Sequence, residues 1–268
     1  MMPFVFFGSD EFAVGVLDEL KAQGLQPALI VTTPGSSRRG VTLASPVQTW
    51  AEKNGIEFAL DTEKLKSKNY QLFIVASYGK ILKPEILKLA TKGCLNIHPS
   101  LLPKYRGPSP LQSAILNGDQ ETGVTIIKLD EQMDHGPILA AANRQLKAES
   151  FVELRDQLAK AGADLLTQIL PDYLTDKIKL TEQKHERATF TKKFSKADAE
   201  LKTEDSPELK YRKVLALNPE PGTWLIDANG IRLKIKTAHL EGVQFVPDLV
   251  TPEGRKEISW TEYQRGFN

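Results

Sequence analysis

A single cysteine, Cys94, occurs among the 268 residues, so no disulfide can close within the chain and a zinc site built on thiolates is disfavoured. That suits a reducing compartment. No apolar run approaches the roughly 20 residues that a membrane-spanning helix needs. The start, MMPFVFFGSDEF, lacks the basic segment and long apolar core of a secretory signal. These absences predict a soluble cytoplasmic protein that does not contact membranes. An excess of one charge is missing too: 35 basic and 34 acidic side chains leave +1, so any nucleic acid must be met by local clusters. Histidines are few (98, 135, 185 and 239) and show no metal-ligand spacing, so no metal is expected. There is no G-x-S-x-G elbow, no G-x-G-x-x-G turn and no P-loop. Nucleophilic, redox and phosphoryl-transfer chemistry are therefore weakly supported.

What is present is a strand–helix alternation in an ordinary globular composition, 41% hydrophobic and 26% charged. PFVFFG (3–8) reads as a strand, followed by a helix with Phe12, Val16, Leu17 and Leu20 on one face and Gly24 as its stop. PALIVTT (27–33) is the next strand, and Ser45 with Pro46 opens another helix. QLFIVAS (71–77) and GCLNIH (93–98) flank the helix KPEILKLA. The pattern predicts an α/β fold with a Rossmann-like, doubly wound, mostly parallel sheet, whose ligands bind at the carboxyl ends of strands. TGVTIIKLD (122–130) and GPILAAANRQL (136–146) read as a strand pair, and a long helix from about Ser150 carries an apolar stripe from Phe151 to Ile169. Residues 175–196 then hold seven Lys or Arg against three acids, the texture of a solvated connector. The tail has one helical piece and short strands with turns such as Asn229-Gly230. The expected division is a domain over 1–174, a basic linker over 175–205 and a small β-rich domain over 206–268.

Residues 94–110, CLNIHPSLLPKYRGPSP, stand out. Asn96 and His98 lie two apart at the end of an apolar strand, before a turn dense in proline and glycine. Each has a structural use: a histidine at a strand end is commonly held by hydrogen bonds, an asparagine satisfies buried backbone, and Asp134 before Gly136 suits a turn. Together they also make an amide, an imidazole and, if its loop folds back, a carboxylate. That set suits attack of an amine on an acyl carbon without a covalent enzyme intermediate. Amide and imidazole N–H groups can stabilise the developing oxyanion, while the carboxylate fixes the imidazole tautomer and assists proton movement. The two prolines of PSLLP stiffen a short apolar turn, leaving peptide groups for a planar heterocycle such as a pterin.

The stretch GCLNIHPSLLPKYRGPSPLQSAILNGDQETGVTIIKLDEQMDHGPIL resembles the core signature of the folate-dependent formyltransferases, with Asn96, His98, SLLP (100–103), YRG (105–107), TGVTI (122–126) and the Asp134–Gly136 pair. Outside it, FFGSDEFAV, TTPGSSRRGVTLASPV (32–47), SYGKIL (77–82), ATFTKKFSKADAEL (188–201), LNPEPGTW (217–224) and VTPEGRKEISWTEYQRG (250–266) are similar to the branch that acts on methionyl-tRNA. The resemblance implies the formyltransferase fold, 10-formyltetrahydrofolate as donor, and initiator methionyl-tRNA as acceptor for a monomeric enzyme. It implies Asn96, His98 and Asp134 as the catalytic residues. Tyr78, Gly79, Ile81 and the turn Ser100, Leu101, Leu102, Pro103 would wall the folate. Arg38, Arg39, Lys192 and Lys193 would meet tRNA phosphates.

Two departures accompany the likeness. The basic loop after the second strand is short and carries only Arg38 and Arg39. The C-terminal start and end signatures are both present with little chain between them, which predicts a shortened, OB-like β-barrel. Two alternatives share the core: a sugar-nucleotide N-formyltransferase using the same donor, and a non-catalytic tRNA- or folate-binding module.

Overall fold

A computed structural model describes residues 3–35, 37–38, 41–67 and 69–266. The chain divides into two compact units. The first comprises Met1–Pro108, Thr122–Arg144 and Arg155–Thr191, and the second Ser109–Glu121, Gln145–Leu154 and Lys192–Asn268.

In chain order, β1 (Phe4–Phe7), α1 (Glu11–Ala22) and β2 (Leu29–Val31) precede a small hairpin of β3 (Ser37–Arg38) and β4 (Val41–Thr42). Then come α2 (Pro46–Asn54), β5 (Phe58–Ala59), β6 (Leu72–Val75), α3 (Pro84–Leu87) and β7 (Cys94–His98). They are followed by α4 (Pro110–Asn117), β8 (Glu121–Lys128), β9 (Ile138–Gln145) and the long α5 (Phe151–Leu174). The seven-stranded sheet runs β5-β2-β1-β6-β7-β8-β9. Strands β5, β2, β1, β6 and β7 pair in parallel, and β8 runs antiparallel to β7. This is the doubly wound α/β architecture that the strand–helix alternation predicts. Its strand order reverses direction at β1, the place where such sheets open a crevice.

The side-chain alternation of β7 explains what this frame does for the site. Leu95 and Ile97 face one way, and Cys94, Asn96 and His98 face the other. Cys94 joins an apolar cluster with Val5, Phe7, Leu29, Val31, Phe73, Val75 and Ile86. Its burial pushes the thiol upward in pKa, so the only thiol is a neutral core group and not a nucleophile. On the opposite face α5 presses its backbone onto β7 at Gly162. A Cβ added there would lie 2.5 Å from Ile97 Cγ2 and 3.2 Å from Val124 Cγ2. Helix starts follow the expected caps: Asp10 accepts from the Ala13 N–H, and Ser45 from the Gln48 N–H with Pro46 next in line.

In the second unit, α6 (Pro207–Leu217) accompanies a four-stranded antiparallel sheet of β10 (Trp224–Ile226), β11 (Arg232–Glu241), β12 (Gln244–Pro252) and β13 (Ile258–Ser259), closed off by α7 (Trp260–Gly266). Leu201, Val214, Leu233, Ile235, Val250 and Tyr263 form its core. The order is β10-β11-β12-β13, and residues 199–201 cover the outer side of β10 through Trp224 N–H to Ala199 O (3.2 Å) and Leu201 N–H to Trp224 O (2.8 Å). Among the described residues no helix is long and apolar enough to cross a membrane.

Gly162→Ala tests the close approach of helix and strand behind the site. An alanine gains roughly 1 kcal/mol of helix propensity, but Ile97 is a fully packed strand residue that cannot yield cheaply. Overpacking of about 1–3 kcal/mol should prevail. The expected outcome is a lower urea midpoint with an unchanged slope.

Candidate active site

β6 and β7 end side by side, with Val75 paired to Asn96, so the residues after each strand share one edge of the sheet. Beyond His98 the chain turns back over β8. Ser100 N–H donates to His98 O (2.9 Å), and Ser100 Oγ donates to Lys104 O (2.6 Å). Thr125, opposite His98 on β8, donates its hydroxyl to Ser100 O (2.7 Å) and accepts from Leu102 N–H (3.1 Å). Through these bonds the turn delivers Tyr105, at φ +63°, with its carbonyl 3.0 Å from His98 Nε2. Two residues on, the Gly107 N–H reaches Asp134 Oδ2 at 2.8 Å.

Asp134 arrives from the loop between β8 and β9. That loop is pinched at its base by Lys128 N–H to Pro137 O (2.9 Å) and by Gly136, whose added Cβ would stand 1.9 Å from Lys128 O. Asp134 itself is held at φ +50°, a conformation that aspartate tolerates better than most side chains. Its Oδ1 lies 3.3 Å from Asn96 Nδ2 and 3.5 Å from His98 Nδ1. The side chains of His98 and Asp134 are only 5% and 13% exposed, so this contact is screened little by water. The amide, imidazole and carboxylate are thus brought together by the loop folding back.

Donor and acceptor chemistry orders the histidine. A peptide carbonyl only accepts, so His98 Nε2 carries hydrogen toward Tyr105 and Nδ1 is the atom that faces the carboxylate. Nδ1 stands 3.5 Å from Asp134 Oδ1, the distance of a charge contact, and Asp134 is in turn anchored by the Gly107 N–H.

Other candidates have different surroundings. Tyr78 is buried, its ring edge-on to Phe7 at 5.3 Å. Desolvation, helped by the negative charge of Asp61, holds its phenol above the ordinary range. It lines a cavity of about 400 Å³ with Ile81, Leu82, Ile86 and the polar residues Asp61 and Lys80, a volume in the range of small-molecule sites. Ile81 is 73% exposed, and Gly79 turns the chain between the two at φ +77°. The turn from Ser100 to Pro103 departs from expectation. Most of its peptide groups are not left open: Ser100 and Leu102 N–H, and the carbonyls of Ser100, Leu101 and Pro103, bond within the protein. With most of its main chain tied to the turn itself, Thr125 and Thr189, what the segment supplies is the placement of Tyr105.

Of the basic candidates, Arg38 lies in the short strand β3, and Arg39 falls outside the described residues. Lys193 is exposed in the second unit. Lys192, 70% exposed, is 2.5 Å from Asp198 and, with Ser195, holds that carboxyl well below the usual range. Two further buried polar residues belong to the site's surroundings: Arg106, which the sequence offered only as part of the YRG motif, and Gln183, which nothing in the sequence singled out. Gln183 sits inside the stretch that reads as a charged connector. Yet Thr181, Gln183, Thr189 and Thr191 are all bonded to the first unit's strands and loops. Only the isolated polar, uncharged side chains at 181, 183, 189 and 191 set this strap apart from a solvated run.

Comparison with known proteins adds an independent line. Residues 2–171 match the family model described as formyl transferase. A methionyl-tRNA formyltransferase of Wolbachia pipientis is 35% identical over 296 residues, spanning 99% of this chain and 97% of its own. In fold, the chain is similar to a methionyl-tRNA formyltransferase from Clostridium thermocellum (TM-score 0.64, 20% identity, 94% of this chain and 99% of that one). It is also similar to an N-formyltransferase from Helicobacter canadensis solved with folinic acid and dTDP-3-aminofucose (TM-score 0.66, 18% identity, 97% and 99%).

Thr125→Val tests the turn. The substitution keeps the shape of a fully buried side chain and removes the hydroxyl that bridges Ser100 and Leu102. Leaving a buried donor and acceptor unpaired should cost about 1–3 kcal/mol, read as a reduced free energy of unfolding in urea.

Proposed function

This chain belongs to the formyl transferase family, and from that premise we propose that it transfers the formyl group of 10-formyltetrahydrofolate to the α-amine of initiator methionyl-tRNA. The observation that carries the reading is the convergence of Asn96, His98 and Asp134, in a chain similar along its whole length to a methionyl-tRNA formyltransferase.

An α-amino group has an unperturbed pKa near 7.7–8.0, so a useful fraction is neutral at physiological pH. The amine lone pair attacks the formyl carbon, a C–N bond forms, and the carbonyl electrons move onto oxygen. Asn96 directs one amide N–H to Asp134 and offers the other to that oxygen. His98 spends Nε2 on Tyr105, so Nδ1 is the atom it brings to the reaction. Asp134 balances an imidazolium and steers the proton from the attacking nitrogen toward the folate nitrogen. The bond to that nitrogen then breaks and tetrahydrofolate leaves. The cavity beside Tyr78 and Ile81 offers a wall for the folate. The Ser100–Pro103 turn would add apolar side chains, with few main-chain hydrogen bonds to spare.

Phosphates of the acceptor would meet Arg38, Arg39, Lys192 and Lys193, with Lys192 exchanging Asp198 for a phosphate. Lys234 and Lys236 on β11 are exposed as well. The fold also resembles enzymes that act on amino-sugar nucleotides, which makes those the second acceptor to examine.

With radiolabelled 10-formyltetrahydrofolate, label should appear on methionyl-tRNA and not on an amino-sugar nucleotide. Asn96→Ala should lower kcat about 10²–10³-fold, and His98→Ala at least as much. Label on the sugar alone would move the assignment to the other acceptor, and label on neither would leave a binding module. The pair Lys192→Ala and Lys193→Ala should raise Kd alike for all tRNAs and flatten its salt dependence. An unchanged Kd would remove these two lysines from the tRNA contact.

A further inference from the structure

Gln183 is 5% exposed, and its side chain spends its hydrogen-bonding capacity on two loops of the site. Its amide nitrogen donates to Asp134 O (2.9 Å) and to Gly136 O (2.8 Å). Its oxygen accepts from Arg106 Nε (3.2 Å) and Nη2 (2.6 Å). Arg106, 4% exposed, also donates to His185 Nδ1 (2.8 Å). The main chain of Arg106 is fixed by the same strap, through its N–H to Thr189 O (2.8 Å) and its carbonyl from Thr191 N–H (2.8 Å). The residue after Arg106 is Gly107, whose N–H holds the Asp134 carboxylate.

Asp134 is therefore gripped twice. Gly107 holds its side chain, and Gln183 holds its main chain, with Gln183 and Gly107 joined through Arg106. The grip has a task, because Asp134 sits at positive φ and must keep one oxygen near both Asn96 and His98. An unsupported loop would have no reason to keep that conformation. We propose that Gln183 is a positioning residue for the formyl transfer, acting with Arg106 to set the carboxylate of Asp134 against the imidazole of His98. This rests on the proposed function insofar as it concerns turnover. The hydrogen-bond relay itself concerns only this chain.

The chemistry of the amide makes the idea sharp. Glutamate has the same shape and keeps the Arg106 contact, but it cannot donate to the two carbonyls and would set an anionic oxygen against them. Methionine has a similar length and removes both sets of bonds.

The test compares Gln183→Met and Gln183→Glu with the unaltered enzyme, each checked for folding by thermal melting. In whichever variant folds, kcat should fall about 10²-fold, the scale of a misplacement near 1 Å. KM for methionyl-tRNA should change by less than about threefold, since ground-state contacts remain. In an Asp134→Asn background the same substitution should produce little further loss, because its effect runs through Asp134. The amide resonance of Gly107 should shift, and its hydrogen exchange should quicken, with or without an acceptor present. An unchanged kcat in a folded variant, or a full additional loss in the Asp134→Asn background, would overturn the proposal. Should the unaltered protein formylate no acceptor, the functional reading fails by itself. The Gly107 amide then decides the relay, and an amide indifferent to Gln183 would end it.

Discussion

The carboxylate of Asp134 is where two loops and a strand meet, and the geometry of the site depends on it. One of its oxygens takes a backbone N–H from Gly107, and the other faces the amide of Asn96 and the imidazole of His98. None of these groups is near Asp134 in sequence, and a buried carboxylate is stable only where donors surround it. The antiparallel return of β8 along β7 satisfies that requirement, since it places the loop after β8 beside the strand that carries the two polar residues.

The same sheet supplies the contrast in polarity along β7. Cys94 belongs to the apolar cluster, and two residues later on the same face Asn96 begins the polar site. On the other face the glycine in α5 lets the helix backbone lie against Ile97. Stiffness behind the strand and hydrogen bonds in front of it hold Asn96 and His98 in one geometry. Such preorganisation lets donors act on a developing charge without first having to rearrange.

Near-neutral overall charge also takes on a more local meaning. The stretch 175–196 has a charge-rich composition, yet its Gln183, Thr189 and Thr191 bond to the loops of the site. A basic segment can present lysines to solvent on one side and pin loops on the other, because alternate residues of an extended chain face opposite ways. Lys192 shows why counting charge misleads, since its ammonium already has a partner in Asp198.

By itself the sequence determined the architecture and the identity of the polar trio. Buried parallel strands need continuous apolar runs and capped helices need capping residues, so FVFF, LFIV and the Ser45–Pro46 start were legible, and the ordered motif from Gly93 to Leu139 marked the family. Only the tertiary structure decided which nitrogen of His98 faces the carboxylate, that the Ser100–Pro103 turn spends most of its peptide groups, and that Gln183 and Arg106 lie under the loops of the site. Several of those facts depend on contacts across long stretches of chain, such as Leu102 with Thr125, 23 positions apart, and Arg106 with Gln183, 77 apart. Local patterns of hydrophobicity and propensity carry no record of such partners, because a buried hydrogen bond is specified by where two chain segments come together and not by either segment alone.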